Sequence, residues 1–197
     1  ASDAEADAVL VHHGYFWKGE DSRLVGVKKR RLDVLFASGM SLFAYHLPLD
    51  AHPLYGNNAL LGKALGAEAE GTFGEQALAC FGTLPAPRTL APWTDALAAA
   101  LARAPLVIGE AERPVRRVAW CSGAGQGYFE AALALGVDAF VTGEISERYV
   151  HLAREAGVAF VCAGHHATER FGVRALGEHW AEAFGLEHRY VEVENPV

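Results

Sequence analysis

Short apolar runs alternate with helical periodicities along most of the chain, and a polar cluster follows nearly every run. Ala8-Val9-Leu10-Val11 is continuously apolar, the pattern of a strand covered on both faces. A helical periodicity over 27–38 is closed by Gly39, and 41–45 forms a second buried run. A short helix capped by Asn57 or Asn58 extends through Leu65 and stops at Gly66. Residues 78–84 and 105–108 read as strands, with an Ala-rich helix over 92–103 between them. Strand and helix then alternate: strand 118–121, the glycine-rich turn 122–127, helix 128–135, strand 138–141, helix 146–155 and strand 158–163. A long helix from about 168 to 184 and a final strand over 189–193 complete the pattern.

Two segments echo each other. Ala6-Asp7-Ala8-Val9-Leu10-Val11-His12-His13-Gly14 matches Val137-Asp138-Ala139-Phe140-Val141-Thr142-Gly143-Glu144 in pattern. Each is followed by a helix, a glycine, a second strand and a polar cluster, at 46–52 in the first case and 165–169 in the second. Self-similarity of this kind predicts an α/β fold of two similar halves, an internal duplication with sheets flanked by helices. The halves are expected over 1–66 and 118–197. Residues 67–117 contain no histidine and are expected to form a small inserted subdomain that packs or oligomerises without chemistry. The second half opens with a strand and a helix before Asp138, whereas the first shows only a helix tail over 2–6, so a strand and helix are expected upstream of Ala1. Ligands of such sheets collect past the carboxyl ends of the strands, where these polar clusters fall.

Composition narrows the function classes. A 197-residue chain with 51% hydrophobic and 21% charged residues fits a globular α/β protein. A net charge of −7 argues against nucleic acid as the main partner, and Lys28-Lys29-Arg30-Arg31 reads as a solvated helix face. No apolar run has the length of a membrane span, and no signal peptide is visible. Three widely spaced cysteines without a C-x-x-C pair suit a reducing cytoplasm.

The chemistry-bearing residues are His12, His13, His46, Asp50, His52, His165 and Glu169. His165 and Glu169 lie one turn apart if the last helix starts near the histidines, and then face the same way. His12 and His13 point to opposite sides of a strand unless the backbone turns at Gly14; they serve one ion, two neighbouring ions, or an ordinary strand end. Glu144 sits where the duplication places a site residue. His166 reads as pointing away, and His151, His179 and His188 as surface residues. Tyr15 and Trp17 suit a pocket wall or core packing equally. Ser122–Gly127 could hold a phosphate at the following helix N-terminus, but it lacks the G-x-G-x-x-G spacing and reads better as a close-packed strand-to-helix turn. Taken together, His12, His13, Asp50, His165 and Glu169 are too many for one four-coordinate ion with an open position, and suit two ions sharing a carboxylate. Nitrogen and oxygen donors without thiolate favour Zn, Fe, Mn, Co or Ni.

Three long motifs carry a family resemblance: Val11-His12-His13-Gly14-Tyr15-Phe16-Trp17-Lys18-Gly19-Glu20, Tyr45-His46-Leu47-Pro48-Leu49-Asp50-Ala51-His52-Pro53 and Ala163-Gly164-His165-His166-Ala167-Thr168-Glu169-Arg170. They closely resemble the NIF-three-like family, whose members are also called GTP cyclohydrolase 1 type 2 homologues, its bacterial YbgI-type members above all. The resemblance implies a dinuclear centre formed by the two halves together and held by His12, His13, Asp50, His165 and Glu169, with Glu169 bridging. It also implies a toroidal homohexamer with the sites facing an internal cavity. The expected activity is metal-dependent hydrolysis of a small molecule, nucleotides being among the candidates, with His46 and His52 orienting ligands or carrying protons. The alternative expectation is a non-catalytic metal-binding scaffold or regulatory toroid.

Overall fold

The structure, a computed structural model, describes residues 5–197, and the chain divides into two compact units, Ala1–Pro48 and Leu49–Val197. Of the helix tail expected over 2–6, residues 1–4 lie outside the described residues and Glu5 belongs to a turn.

The first unit is built on β1 (Ala8–Val11), α1 (Gly26–Ser38) and β2 (Ser41–Ala44). The two strands pair in parallel, Ala8 opposite Ser41 and Val11 opposite Ala44. Ser41 N–H donates to the Asp7 carbonyl and Tyr45 N–H to the Val11 carbonyl, which extends the ladder at both ends. Helix α1 stops where expected, at a left-handed Gly39 whose N–H closes on Phe36. Its basic run is not simply solvated: Lys28 lies over the Phe16 ring and Arg31 over Tyr15, so the aromatic loop covers itself with cationic side chains.

The second unit opens with the end of α2 (Leu47–Ala51), which carries part of the polar cluster at 46–52. Pro48 sits in the first turn of this short helix, and a missing N–H costs nothing there. Next come α3 (Asn57–Leu65), β3 (Glu68–Phe73), β4 (Ala79–Thr89), α4 (Leu90–Leu101), β5 (Leu106–Ile108) and β6 (Pro114–Trp120). The chain finishes with α5 (Phe129–Ala134), β7 (Ala139–Thr142), α6 (Glu147–Ala156), β8 (Ala159–Cys162) and α7 (His165–Phe184). Among the described residues the strands of this unit form one sheet in the order β3-β4-β6-β7-β8-β5. Strands β6, β7 and β8 run parallel, while β3, β4 and β5 pair antiparallel with their neighbours. The stretch 67–117, expected as an inserted subdomain, thus supplies β3, β4, β5 and the start of β6 to the same sheet as the later strands.

Three local expectations change. Strand β3 was not anticipated: Glu68-Ala69-Glu70-Gly71-Thr72-Phe73 is an edge strand with little apolar periodicity to announce it. The final strand over 189–193 does not form. β5 already occupies the outer edge of β8, and the tail instead follows α7, where His166 N–H donates to the Val197 carbonyl. Asn57 and Asn58 do not cap α3, whose N-cap is Gly56 without a side-chain bond, because both asparagine side chains are engaged elsewhere.

The period-two alternation of the parallel strands sorts the core into two layers. Val118, Trp120, Ala139, Val141, Ala159 and Val161 face α3, α4 and α7, against Leu61, Leu65, Leu90, Trp93, Leu97 and Leu101. Ala119, Cys121, Phe140 and Phe160 face α5 and α6, against Phe129, Ala132, Tyr149 and Ala153. Each large apolar side chain buried this way contributes roughly 1.5–3 kcal/mol. Both buried indoles are satisfied: Trp93 Nε1–H donates to the Leu65 carbonyl at 2.9 Å and Trp120 Nε1–H to the Asn58 carbonyl at 2.8 Å. Both units therefore contain a strand–helix–strand repeat with parallel strands, β1-α1-β2 and β7-α6-β8, and each helix ends in a left-handed glycine. Among the described residues no helix is long and apolar enough to cross a membrane.

The contact between α3 and β6 yields a test. A Cβ at Gly62 would lie 2.6 Å from Trp120 Cζ2, and that ring is fully buried and tethered. Gly62→Ala should therefore lower the urea midpoint. Overpacking at about 1–3 kcal/mol exceeds the helix-propensity gain of about 1 kcal/mol, and an unchanged midpoint would show that the ring can yield.

Candidate metal centre

In the first unit, His12 and His13 follow β1 directly and His46 lies two residues past β2. The chain bends at both His12 and His13, so the two side chains converge despite being adjacent. Ring centroids stand 4.7 Å apart for His12–His13, 5.1 Å for His12–His46 and 5.2 Å for His13–His46. Each imidazole offers a nitrogen within 4.8 Å of the others. His12 is buried, and its Nδ1 lies 2.9 Å from the Tyr45 carbonyl. A carbonyl only accepts, so Nδ1 carries the proton and the lone pair of neutral His12 is on Nε2. Trp17 packs edge-on to His46 at 5.0 Å and donates its indole N–H to the Gly14 carbonyl at 3.1 Å. It lines this cluster, whereas Tyr15 sits beneath Arg31 instead.

In the second unit, the carboxyl ends of β6, β7 and β8 meet through glycine backbone. Gly143 N–H donates to the Gly123 carbonyl at 2.8 Å, and Gly164 N–H to the Gly143 carbonyl at 3.2 Å. A Cβ on Gly143 would stand 2.6 Å from both the Gly123 carbonyl oxygen and the His165 Cα, so no side chain fits. Gly123 has φ 62°, and a Cβ there would collide with the Glu169 carboxylate. The glycine-rich turn is therefore a close-packed platform for the first turn of α7, as its spacing suggested. Thr168 fastens that turn: its hydroxyl accepts the Gly123 N–H at 2.9 Å and lies 2.9 Å from the Gly164 carbonyl, to which it donates.

Helix α7 begins at His165, three residues earlier than the periodicity indicated, which brings His165 and Glu169 onto one face. His165 Nε2 lies 2.9 Å from Glu169 Oε2, and His165 Nδ1 lies 2.5 Å from Glu144 Oε1. With a carboxylate on each ring nitrogen, Glu169 first and Glu144 next, the imidazole is held cationic and its pKa rises to about 9 against the opposing effect of burial. Asp50, buried on α2, has a carboxylate oxygen within 4.8 Å of one on Glu169. Its Oδ1 accepts hydrogen bonds from Asn57 Nδ2 at 2.8 Å and Ser122 Oγ at 3.1 Å. Asn57 in turn accepts the Gly172 N–H at 2.7 Å, tying Asp50 to α7, and Asn58 accepts the Ser122 N–H at 2.8 Å.

These donors fit divalent transition metals by their chemistry. Imidazole and carboxylate predominate, and the nearby thiol does not compete: burial first, then the charges of Asp50 and Glu169, push Cys121 up to about 12. Glu144 on Nδ1 of His165 and the Tyr45 carbonyl on Nδ1 of His12 are the outer partners that metal-binding histidines employ to direct Nε2 at a cation.

The predicted residues therefore fall into two groups, one per unit: His12, His13 and His46, and Asp50, His165 and Glu169. His52 joins neither. Its Nδ1 accepts the backbone N–H groups of Leu54 and Tyr55, and its ring stacks on Tyr55, which stacks on His179. His166 points to the tail, where it meets Glu192 at 2.5 Å. Sequence reasoning missed Asn57, Asn58, Ser122 and Thr168 as supporting residues. The signal for the asparagines was their adjacency at a helix start, which resembles a cap; nothing local marked the other two.

Comparison with known proteins places the whole chain in one family. The Duf34/NIF3 (NGG1p interacting factor 3) family model matches residues 1–196. A Pseudomonas aeruginosa protein named GTP cyclohydrolase 1 type 2 homolog is 50% identical over 200 residues, covering 100% of this chain and 79% of its own length. An Allochromatium vinosum protein of the same name is 53% identical over 193 residues, covering 98% and 76%. Among solved structures, the chain is similar to the protein ybgI, described as of unknown function, with TM-score 0.94, 45% identity and 100% and 79% coverage. TTHA1606 from Thermus thermophilus follows with TM-score 0.86, 36% identity and 99% and 78% coverage.

The electrostatics of His165 can be measured directly. In chelator-treated protein its NMR titration midpoint should lie near 9, and Glu169→Gln should move it toward 6.5 more than Glu144→Gln does. Because the folded-state pKa is raised, the stabilisation is complete below 6.5 and is lost as pH rises through 9. The metal-free melting temperature should fall across that window; a flat profile would mean that the two carboxylates do not hold the proton.

Proposed function

Since the chain belongs to the Duf34/NIF3 family, we propose that it binds two divalent transition-metal ions and hydrolyses a small molecule, with nucleotides the first substrates to try. The observation that supports this most is the pair of donor groups, His12–His13–His46 and Asp50–His165–Glu169, in which His12 and His165 each have Nδ1 held by an oxygen acceptor. His12, His13, Asp50, His165 and Glu169 would hold Zn, Fe, Mn, Co or Ni, with Glu169 shared between the two ions. Such ions supply charge that polarises an electrophilic centre and acidifies water.

The chain's own residues have distinct parts in this proposal. Asp50 is fixed in rotation by Asn57 and Ser122, so its carboxylate is positioned before any ligand arrives. Glu144 would keep the Nδ1 proton of His165 and leave Nε2 as the atom available to an ion, which would couple binding to proton release there. His46 stands beside His12 and His13 and is the group assigned to carry a proton to or from substrate. His52 organises the turn after α2 from its end. Three free cysteines accord with a reducing compartment. The name carried by the relatives points to purine ring opening; for this chain it defines the first test panel. Assembly as a toroidal hexamer is part of the same proposal.

Metal analysis of the purified protein should find about two transition-metal ions per chain, and a folded protein with none would refute the site. Glu169→Gln should lower occupancy of both ions; full occupancy would refute its shared role. A hydrolysis panel of nucleotides, cyclic amides and phosphoesters should show activity that Asp50→Ala abolishes. Activity absent across the panel, or equal in both proteins, would favour a metal-binding scaffold. Light scattering should return the mass of a hexamer, and a monomer would remove the toroid from the proposal.

A further inference from the structure

A second feature of the Leu49–Val197 unit has no part in the metal chemistry. A cavity of about 530 Å³ opens at the amino end of β8, the end of that strand remote from His165 and Glu169. It is lined by the apolar Val107, Ile108, Val158 and Ala159 and by Arg113 and Arg154. Among the described residues neither guanidinium has an ion-pair or hydrogen-bond partner, although Glu110 lines the same cavity. Arg113 Nε is itself buried and unpartnered. A guanidinium nitrogen removed from water without a partner is costly, and two arginines lining one cavity are a common provision for an oxyanion.

The position removes one competing explanation. Arg154 lies in the last turn of α6, where cationic side chains commonly bond the terminal carbonyls. Here Gly157 N–H takes the Arg154 carbonyl at 3.3 Å and Val158 N–H takes the Ala153 carbonyl at 3.1 Å, so the backbone closes the helix end without either arginine. Arg113 Nη1 would lie 3.9 Å from a Cβ on Gly157, which places its guanidinium over that turn and beside the cavity. The volume falls within the range of small-molecule sites, and apolar and cationic side chains share its lining.

We propose that this cavity binds a small organic anion, its carboxylate or phosphate held between Arg113 and Arg154 and its apolar body against Val107, Ile108 and Val158. The site is separate from the metal centre, so its occupancy does not depend on metal content. Calorimetric titration of the full chain at low salt, with phenyl phosphate and benzoate as probes, tests it. One-to-one saturable binding of at least one probe is expected, and the tighter of the two identifies the headgroup. Arg154→Gln, an exposed change, and Arg113→Gln should each weaken binding at least about tenfold, while the control Arg116→Gln, outside the cavity, should leave it unchanged. Circular dichroism of each variant confirms the fold. No saturable binding of either probe, or binding equal in the wild type and either cavity variant, would overturn the proposal.

Discussion

The candidate centre in the larger unit depends on how closely three backbone segments can pass one another. Gly123, Gly143 and Gly164 lie just past the ends of strands β6, β7 and β8, and the hydrogen bonds between these residues carry the strands' pairing beyond the sheet. Any Cβ on Gly143 would strike the Gly123 carbonyl and the start of α7. The absence of side chains lets α7 begin on the sheet end itself, at His165. One turn later Glu169 arrives over Gly123. Helix start, ligand spacing and strand ends are thus one constraint.

Electrostatics explains why this arrangement suits a cation. Asp50, Glu144 and Glu169 bring three carboxylates to a region with His165 as the compensating imidazolium, and Asp50 and Glu169 are largely buried. Buried carboxylates are tolerated only when paired or hydrogen-bonded. Asn57, Ser122 and the raised His165 partly meet that need in the protein alone. A divalent cation held by Asp50, Glu169 and Nε2 of His165 would meet the rest, with Glu144 on Nδ1. The same logic keeps Cys121 protonated and out of the donor set.

Much of this was legible from residue patterns. Strands β7 and β8 announced themselves as short apolar runs because both faces are covered, as Phe140 and Val141 show by entering opposite core layers. The similar runs of β1 and β2, expected to be buried, are half-buried or exposed. Glycine stops at 39, 66 and 157 marked helix ends correctly because left-handed closure leaves a local signature. The edge strand β3 escaped notice for the opposite reason, since Glu68 and Glu70 face solvent and little of it is buried. The run at 189–193 has strand-like alternation without a strand partner, and alternation alone cannot supply one. Asn57 illustrates a third limit: its bonds to Asp50 and Gly172 span 7 and 115 residues, and no window of sequence contains both.

The amino-acid sequence by itself determined the α/β class and the strand–helix–strand plan and singled out the candidate donors, because each follows from local periodicity, local turn chemistry and motifs of a few residues. Only the tertiary structure decided what supports those donors. It placed His46 against His12 and His13, set Glu144 on Nδ1 of His165, and removed His52 to a separate aromatic stack. Those outcomes depend on contacts between residues far apart in the chain, where packing and hydrogen bonding choose among side chains that look equally suitable in sequence.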